Sequence, residues 1–185
     1  MSFNDYAKSI IDSLSNEIKN NAIQESSFTV SRWIQSTSDA NKLITIFGNG
    51  GSAADAQHWA AELSGTFRDK SRVPLKAIAL TTDTSVITAL ANDFDYSTIF
   101  SRQINALGIS IGLAIGLSTS GNSLNVIKGL ESAKKVGAKT ILISGLSPCI
   151  FEQFDMHIKL NAKDTASIQT LTQIFYHSVC ENLES

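Results

Sequence analysis

Apolar residues over the first 37 positions recur three and four apart. Phe3, Tyr6, Ile10, Ile11, Leu14 and Ile18 form one series, and Phe28, Val30, Trp33 and Ile34 a second. That spacing gathers them on one side of an α-helix and predicts two helices. Beyond them the pattern changes. Short, mainly apolar runs, KLITIF (42–47), LKAIAL (75–80), GLAIGLS (112–118), TILISG (140–145) and MHIKL (156–160), alternate with amphipathic stretches at 52–64, 84–92, 95–107, 122–136 and 164–184. Strands buried on both faces read as apolar runs, and strands alternating with helices build a parallel sheet covered on both sides. The expected fold is α/β, a three-layer, doubly wound sheet of five parallel strands preceded by N-terminal helices. In such sheets ligands gather beyond the carboxyl ends of the strands, where glycine turns open helix N-termini.

Composition narrows the picture a little. The chain has 185 residues, 43% hydrophobic and 17% charged, which suffices for a buried core without disulfide or metal staples. Only two prolines occur, Pro74 and Pro148, and no linker or repeat interrupts the pattern. Residues 1–185 therefore read as a single domain, with 1–38 its helical segment. A net charge of −2 and a pI near 5.9 provide no basic field for nucleic acid or an anionic membrane. Cys149 and Cys180 form no C-x-x-C and suit reduced thiols. The opening MSFNDYAKSIIDSLSNEI has neither the basic nor the apolar region of a secretory signal, and no apolar run reaches membrane-spanning length. A cytoplasmic protein is expected.

Three stretches carry candidate chemistry. In GNGGS (48–52) a strand runs into a helix through Gly48, Gly50 and Gly51, whose backbone N–H groups can face an anion or a sugar oxygen. Ser52 reads as the N-cap, with Asp55 closing a capping box. The loop is neither the dinucleotide G-x-G-x-x-G nor a P-loop, and a tight turn without ligand is the plain alternative. LSTSGNS (117–123) places the hydroxyls of Ser118, Thr119, Ser120 and Ser123 beside another helix N-terminus, a cradle for a small phosphate ester held by neutral donors. An over-capped helix start is its alternative. The third is a polar set on helices. His58 and Glu62 share a face at i, i+4, and Gln169 and His177 lie eight residues apart on the last helix. Histidine with glutamate is a zinc pair that an amide oxygen can complete; an ordinary surface pair contributes only roughly a few tenths of a kcal/mol. Of the three histidines, His157 reads as structural.

Four segments in order, GNGGSAADAQHWAAELSG, ANDFDYSTIFSRQ, LSTSGNS and the DTASIQ…H end, resemble the phosphoheptose isomerases of the sugar-isomerase (SIS) domain group, from about residue 5 onward. The resemblance implies a Rossmann-like SIS fold. It also implies conversion of sedoheptulose 7-phosphate to D-glycero-D-manno-heptose 7-phosphate through an enediol(ate), feeding nucleotide-activated heptose for bacterial lipopolysaccharide or capsule. It implies one Zn2+ per subunit and a homotetramer with active sites at subunit interfaces. Carried over by position, His58, Glu62, Gln169 and His177 become metal ligands, Glu62 the general base and His177 the general acid. Asn49, Gly50, Gly51, Glu62, Asn92, Asp93, Ser118, Thr119, Ser120, Ser123 and Gln169 become substrate contacts.

The match has departures. Thr66 stands where the family carries arginine, Thr170-Leu171-Thr172 where it reads Glu-x-His, and Ser167 where arginine is frequent. A sister group, non-catalytic SIS tetramers that bind the replication initiator protein, is the rival reading; Glu62 and His177, both present here, speak for the enzyme. A sugar-phosphate sensor acting on DNA is disfavoured, since no DNA-binding domain is visible. Two constraints follow. A carboxylate tightly bound to zinc is a weak base, so Glu62 needs a loose or exchangeable metal contact. Gln169 and His177 are separated by about 12 Å along one helix at 1.5 Å per residue, which favours ligands drawn from two chains.

Overall fold

The computed structural model describes residues 2–151, 153–162 and 164–185. Two helices, α1 (Phe3–Ile18) and α2 (Asn21–Asp39), lead into β1 (Leu43–Gly48), α3 (Gly51–Ser64), β2 (Ala77–Ala79) and α4 (Thr84–Asp93). After a 3-10 turn at Tyr96–Thr98 come α5 (Ile99–Leu107), β3 (Ile111–Leu117), α6 (Leu124–Lys135), β4 (Lys139–Ser144), β5 (Met156–Lys159) and α7 (Thr165–Leu183). Local chemistry sets the boundaries. Ser2 and Asp5 form a capping box on α1, while Asn20, Asp83 and Asp164 accept backbone N–H groups at the starts of α2, α4 and α7.

All five strands pair in parallel in the order β2-β1-β3-β4-β5. Alternate strand residues feed two cores. Ile44, Ile46, Leu113, Ile115 and Ile141 meet Ile34 of α2, Trp59 and Leu63 of α3, and Tyr176 and Val179 of α7. Phe47, Ala114 and Leu142, with the opposite parity, meet Ile104 of α5 and Val126 and Leu130 of α6. The strand–helix reading of the sequence therefore describes the architecture, with small shifts. β2 is three residues long because it is an edge strand paired only with β1. The helix expected over 95–107 opens as a 3-10 turn, where Asp95 accepts the Ser97 N–H. α1 differs in kind: Phe3, Ile11 and Ile18 remain mostly exposed, and its single buried residue is Glu17. No helix among the described residues is long and apolar enough to cross a membrane, and Cys149 and Cys180 are both free thiols.

Candidate active site at the sheet switch point

β1 lies between β2 and β3, so the chain leaves β1 towards one edge of the sheet and β3 towards the other. The two connections part at the carboxyl ends, where Gly48 is in register with Leu117. A cleft of about 260 Å³ opens there, lined by Asn49, Gly50, Gly51, Ser118, Thr119, Ser123 and Gln169 among others. It is where an open α/β sheet binds ligands.

The glycine loop is shaped for close approach. Gly50 caps α3 at φ 56°, a conformation costly for any residue with a Cβ. The first intrahelical bonds run from Ala53 and Ala54 to the Gly50 carbonyl, which leaves the Gly51 and Ser52 N–H groups without an intrahelical acceptor. A Cβ on Gly51 would sit 2.5 Å from Nε2 of Gln169, whose side chain lies across it. The capping box expected of Ser52 and Asp55 does not form. The helix starts one residue earlier, with glycine as cap and no side-chain cap bond. Its donors are thereby kept free for an anion.

Neighbouring side chains lock this loop. Asn49 and Asn125 exchange amide hydrogen bonds at 2.9 and 2.8 Å, and the Tyr96 hydroxyl donates to Asn49 Oδ1 at 2.9 Å. Across the cleft the Ser118 hydroxyl donates to Ser123 Oγ at 3.0 Å. Ser123 is the N-cap of α6 but makes no side-chain cap bond, so that helix start also retains free donors. Ser120 is exposed and turned to its own loop, where its Oγ accepts the Asn122 N–H; it does not line the cleft. Asn92 and Asp93 bond to each other at the exposed end of α4, also away from the cleft.

A second group assembles farther along α3, where it packs on α7. His58 Nε2 lies 2.9 Å from Glu62 Oε1, and the His58 and His177 rings meet edge to face at 5.2 Å. One ligand atom from each of His58, Glu62 and His177 falls within 4.8 Å of the others. Two imidazoles and a carboxylate at that spacing fit a divalent cation of the zinc type, with a coordination position left open. The Gln169 side chain rests on Gly51 in the cleft. Burial, and then the charge of His58, push the His177 imidazole below its usual range. Burial raises Asp55 to about 6, against the pull of His58. His157 sits on β5 with Nε2 2.8 Å from Ser144 Oγ.

The wall beside the cluster is strapped from the chain's far end. Glu184 accepts the N–H groups of Phe67, Arg68 and Asp69 and the Nε of Arg72, at 2.8–3.2 Å. Burial alone would raise this carboxyl, yet those donors hold it down at about 2. Arg72 also donates to the carbonyl of Glu62 at 2.6 Å, and Phe67 packs 5.4 Å from the His177 ring. Asn125, Tyr96, Tyr176 and Glu184 escaped the sequence reading. Asn125 is 3% exposed on the inner face of α6, and its partner Asn49 lies 76 residues away in the chain.

Comparison with known proteins places this architecture in a class. Residues 2–145 match the SIS domain, and the chain belongs to that family. Its relatives narrow the class further. It is 50% identical over 147 residues to the phosphoheptose isomerase of Aquifex aeolicus, 79% of this chain and 76% of that one. It is 46% identical over 144 residues to the phosphoheptose isomerase of Campylobacter concisus, 77% and 76% of the two chains. The solved phosphoheptose isomerase of Neisseria gonorrhoeae superposes with a TM-score of 0.84 at 30% identity, covering 98% of this chain and 97% of that one. These relationships make the protein an enzyme, a sugar-phosphate isomerase.

Proposed function

We propose that the protein interconverts sedoheptulose 7-phosphate and D-glycero-D-manno-heptose 7-phosphate in the cytoplasm, in a route to nucleotide-activated heptose for bacterial surface polysaccharide. The observation that carries this reading is the pairing of a neutral-donor phosphate cleft with a His/Glu cluster on one helix. The phosphate sits on the free N–H groups at the starts of α3 and α6 and on the hydroxyls of Ser118, Thr119 and Ser123. Holding that remote group fixes the reacting end of the sugar. Glu62 takes the proton from C1 of the ketose, giving an enediol(ate), and returns a proton to C2 of the aldose. His177, neutral because its imidazole is pushed low, moves the hydroxyl proton between the sugar oxygens.

His58, Glu62 and His177 would hold a divalent cation, which would supply Lewis-acid stabilisation of charge on the sugar oxygens. Glu62 serves as a base only while its contact with the cation is loose. We further propose a homotetramer in which sites are completed between subunits. Two features support it. Gln169 and His177 of one chain serve different places, the cleft and the cluster. The apolar residues of α1 are left uncovered by the single chain.

The test is a proton NMR time course with sedoheptulose 7-phosphate in D2O, with and without chelator, beside Glu62→Gln. Aldose carrying deuterium at C2, abolished in the variant, is expected. Absence of turnover by folded protein supplied with zinc would overturn the assignment.

A further inference from the structure

Asn49 lines the cleft, and its partners settle which way its carboxamide points. A backbone N–H can only donate, and that of Val126, in the first turn of α6, lies 3.0 Å from Oδ1 of Asn125. That contact fixes the oxygen of Asn125, so its nitrogen is the atom that meets Asn49. Asn125 Nδ2 therefore donates to Asn49 Oδ1 at 2.8 Å, and Asn49 Nδ2 donates back to Asn125 Oδ1 at 2.9 Å. With the oxygen of Asn49 fixed in turn, the Tyr96 hydroxyl 2.9 Å from it has to be the donor.

An amide oxygen has two lone pairs and an amide nitrogen two hydrogens. Both lone pairs of Asn49 Oδ1 are taken, one by Asn125 and one by Tyr96. One Nδ2 hydrogen goes to Asn125, and the other has no acceptor among the described residues. Asn49 thus offers a ligand a donor and no acceptor, beside the Gly51 and Ser52 N–H groups that α3 leaves free. Tyr96 completes the pattern. Without its hydroxyl a lone pair of Oδ1 would stand open, and a bare carbonyl oxygen repels an anion. Tyr96 is 52% exposed, so burial does not hold its hydroxyl in place. Its turn is pinned by hydrogen bonds instead. Asp95 Oδ1 accepts the Ser97 N–H at 2.8 Å, and Lys128 Nζ donates to Ser97 Oγ at 2.6 Å.

We propose that Tyr96 is a positioning residue for the cleft: by filling the second lone pair of Asn49 Oδ1 it keeps Asn49 a pure donor towards an acceptor oxygen of the bound sugar phosphate. Tyr96 acts through Asn49 and needs no contact of its own with the ligand. The inference rests on the sugar-phosphate reading of the cleft given under the proposed function.

The experiment uses the intact protein labelled with nitrogen-15 at asparagine, with Asn49→Ser to assign the Asn49 amide. The probes are inorganic phosphate and sedoheptulose 7-phosphate. Without ligand, one Asn49 amide proton should be hydrogen-bonded and the other free. Sedoheptulose 7-phosphate should move the free proton downfield and leave its mate in place. The same shift with inorganic phosphate would put the acceptor on the phosphoryl group, and a shift with the sugar phosphate alone would put it on the sugar; either supports the donor role. Calorimetry on Tyr96→Phe should show sedoheptulose 7-phosphate binding weakened about 3- to 10-fold, the worth of one neutral hydrogen bond, and KM should rise more than kcat falls. Unchanged affinity in Tyr96→Phe, or a free amide proton that stays put when the sugar phosphate binds, would overturn the inference and leave the cleft standing. Failure of the unaltered protein to bind either probe would overturn the reading of the cleft itself.

Discussion

The two ends of α3 are built from different materials. At its N-terminus the cleft is lined by glycine backbone, amides and hydroxyls, with no ionisable side chain among the described lining residues. Two turns along, Asp55, His58, Glu62 and His177 crowd together with Tyr176, and three of the five depart in pKa from their ordinary values. Groups of the first kind keep their charge state across the working pH range and are locked by one another, as Asn49 is by Asn125 and Tyr96. Groups of the second kind respond to their surroundings. Under the proposed function, grip falls to one end and proton transfer to the other, so that each should be open to damage alone.

Glu62→Gln tests that separation most severely. Turnover should fall about 10²- to 10⁴-fold, the usual range for losing a general base, while calorimetry finds sugar-phosphate affinity nearly intact. Equal losses in both would mean that the two ends act as one unit. Ser123→Ala is the converse. Binding should weaken about 10- to 100-fold, the range for a hydrogen bond to a charged group, with kcat almost unchanged.

Stability should report the charge sensitivity of the second end. Asp55 rises from 3.8 to about 6 on folding, so its ionised form opposes folding as pH climbs through that interval. In the metal-free protein, Asp55→Asn should therefore melt higher near pH 7, by about 2–4 °C for each kcal/mol recovered in a chain of this size. The gain should vanish below 3.8. Glu184 has the opposite sign. Its carboxyl falls from 4.5 to about 2, so its contribution is complete above 4.5 and is lost as pH drops towards 2. Glu184→Gln should lower the melting temperature near neutrality, and the gap should close in acid.

The sequence made one end of α3 more legible than the other. GNGGS and LSTSGNS announce themselves locally, as runs of glycine and hydroxyl residues between a strand and a helix. His58 and Glu62 are also local, one turn apart. Tyr176 is not: in the sequence it continues the apolar rhythm of Leu171, Phe175 and Val179, and its partner His58 lies 118 residues away. Asn125 meets Asn49 across 76 residues, and Glu184 meets Phe67 across 117. Periodicity reports which face is buried, not which polar atom waits on the other side. The Ser52–Asp55 spacing misled for a related reason. Ser-x-x-Asp matches a capping box, yet Gly50 had already capped the helix and freed Asp55 to turn inward.

The amide pair that steadies the glycine loop also bears on how the protein ages. An asparagine followed by glycine is prone to deamidation, because so small a neighbour lets the next backbone nitrogen reach the side-chain carbonyl carbon. Asn49 precedes Gly50, but its carboxamide oxygen takes two donors and its nitrogen is tied to Asn125. That restraint slows ring closure for as long as the fold holds. Heat or transient opening releases it, and the carboxylate then formed at position 49 puts a negative charge in the lining of the cleft. Under the proposed function, a stored sample would lose affinity for sugar phosphates while His58, Glu62 and His177 stayed chemically whole.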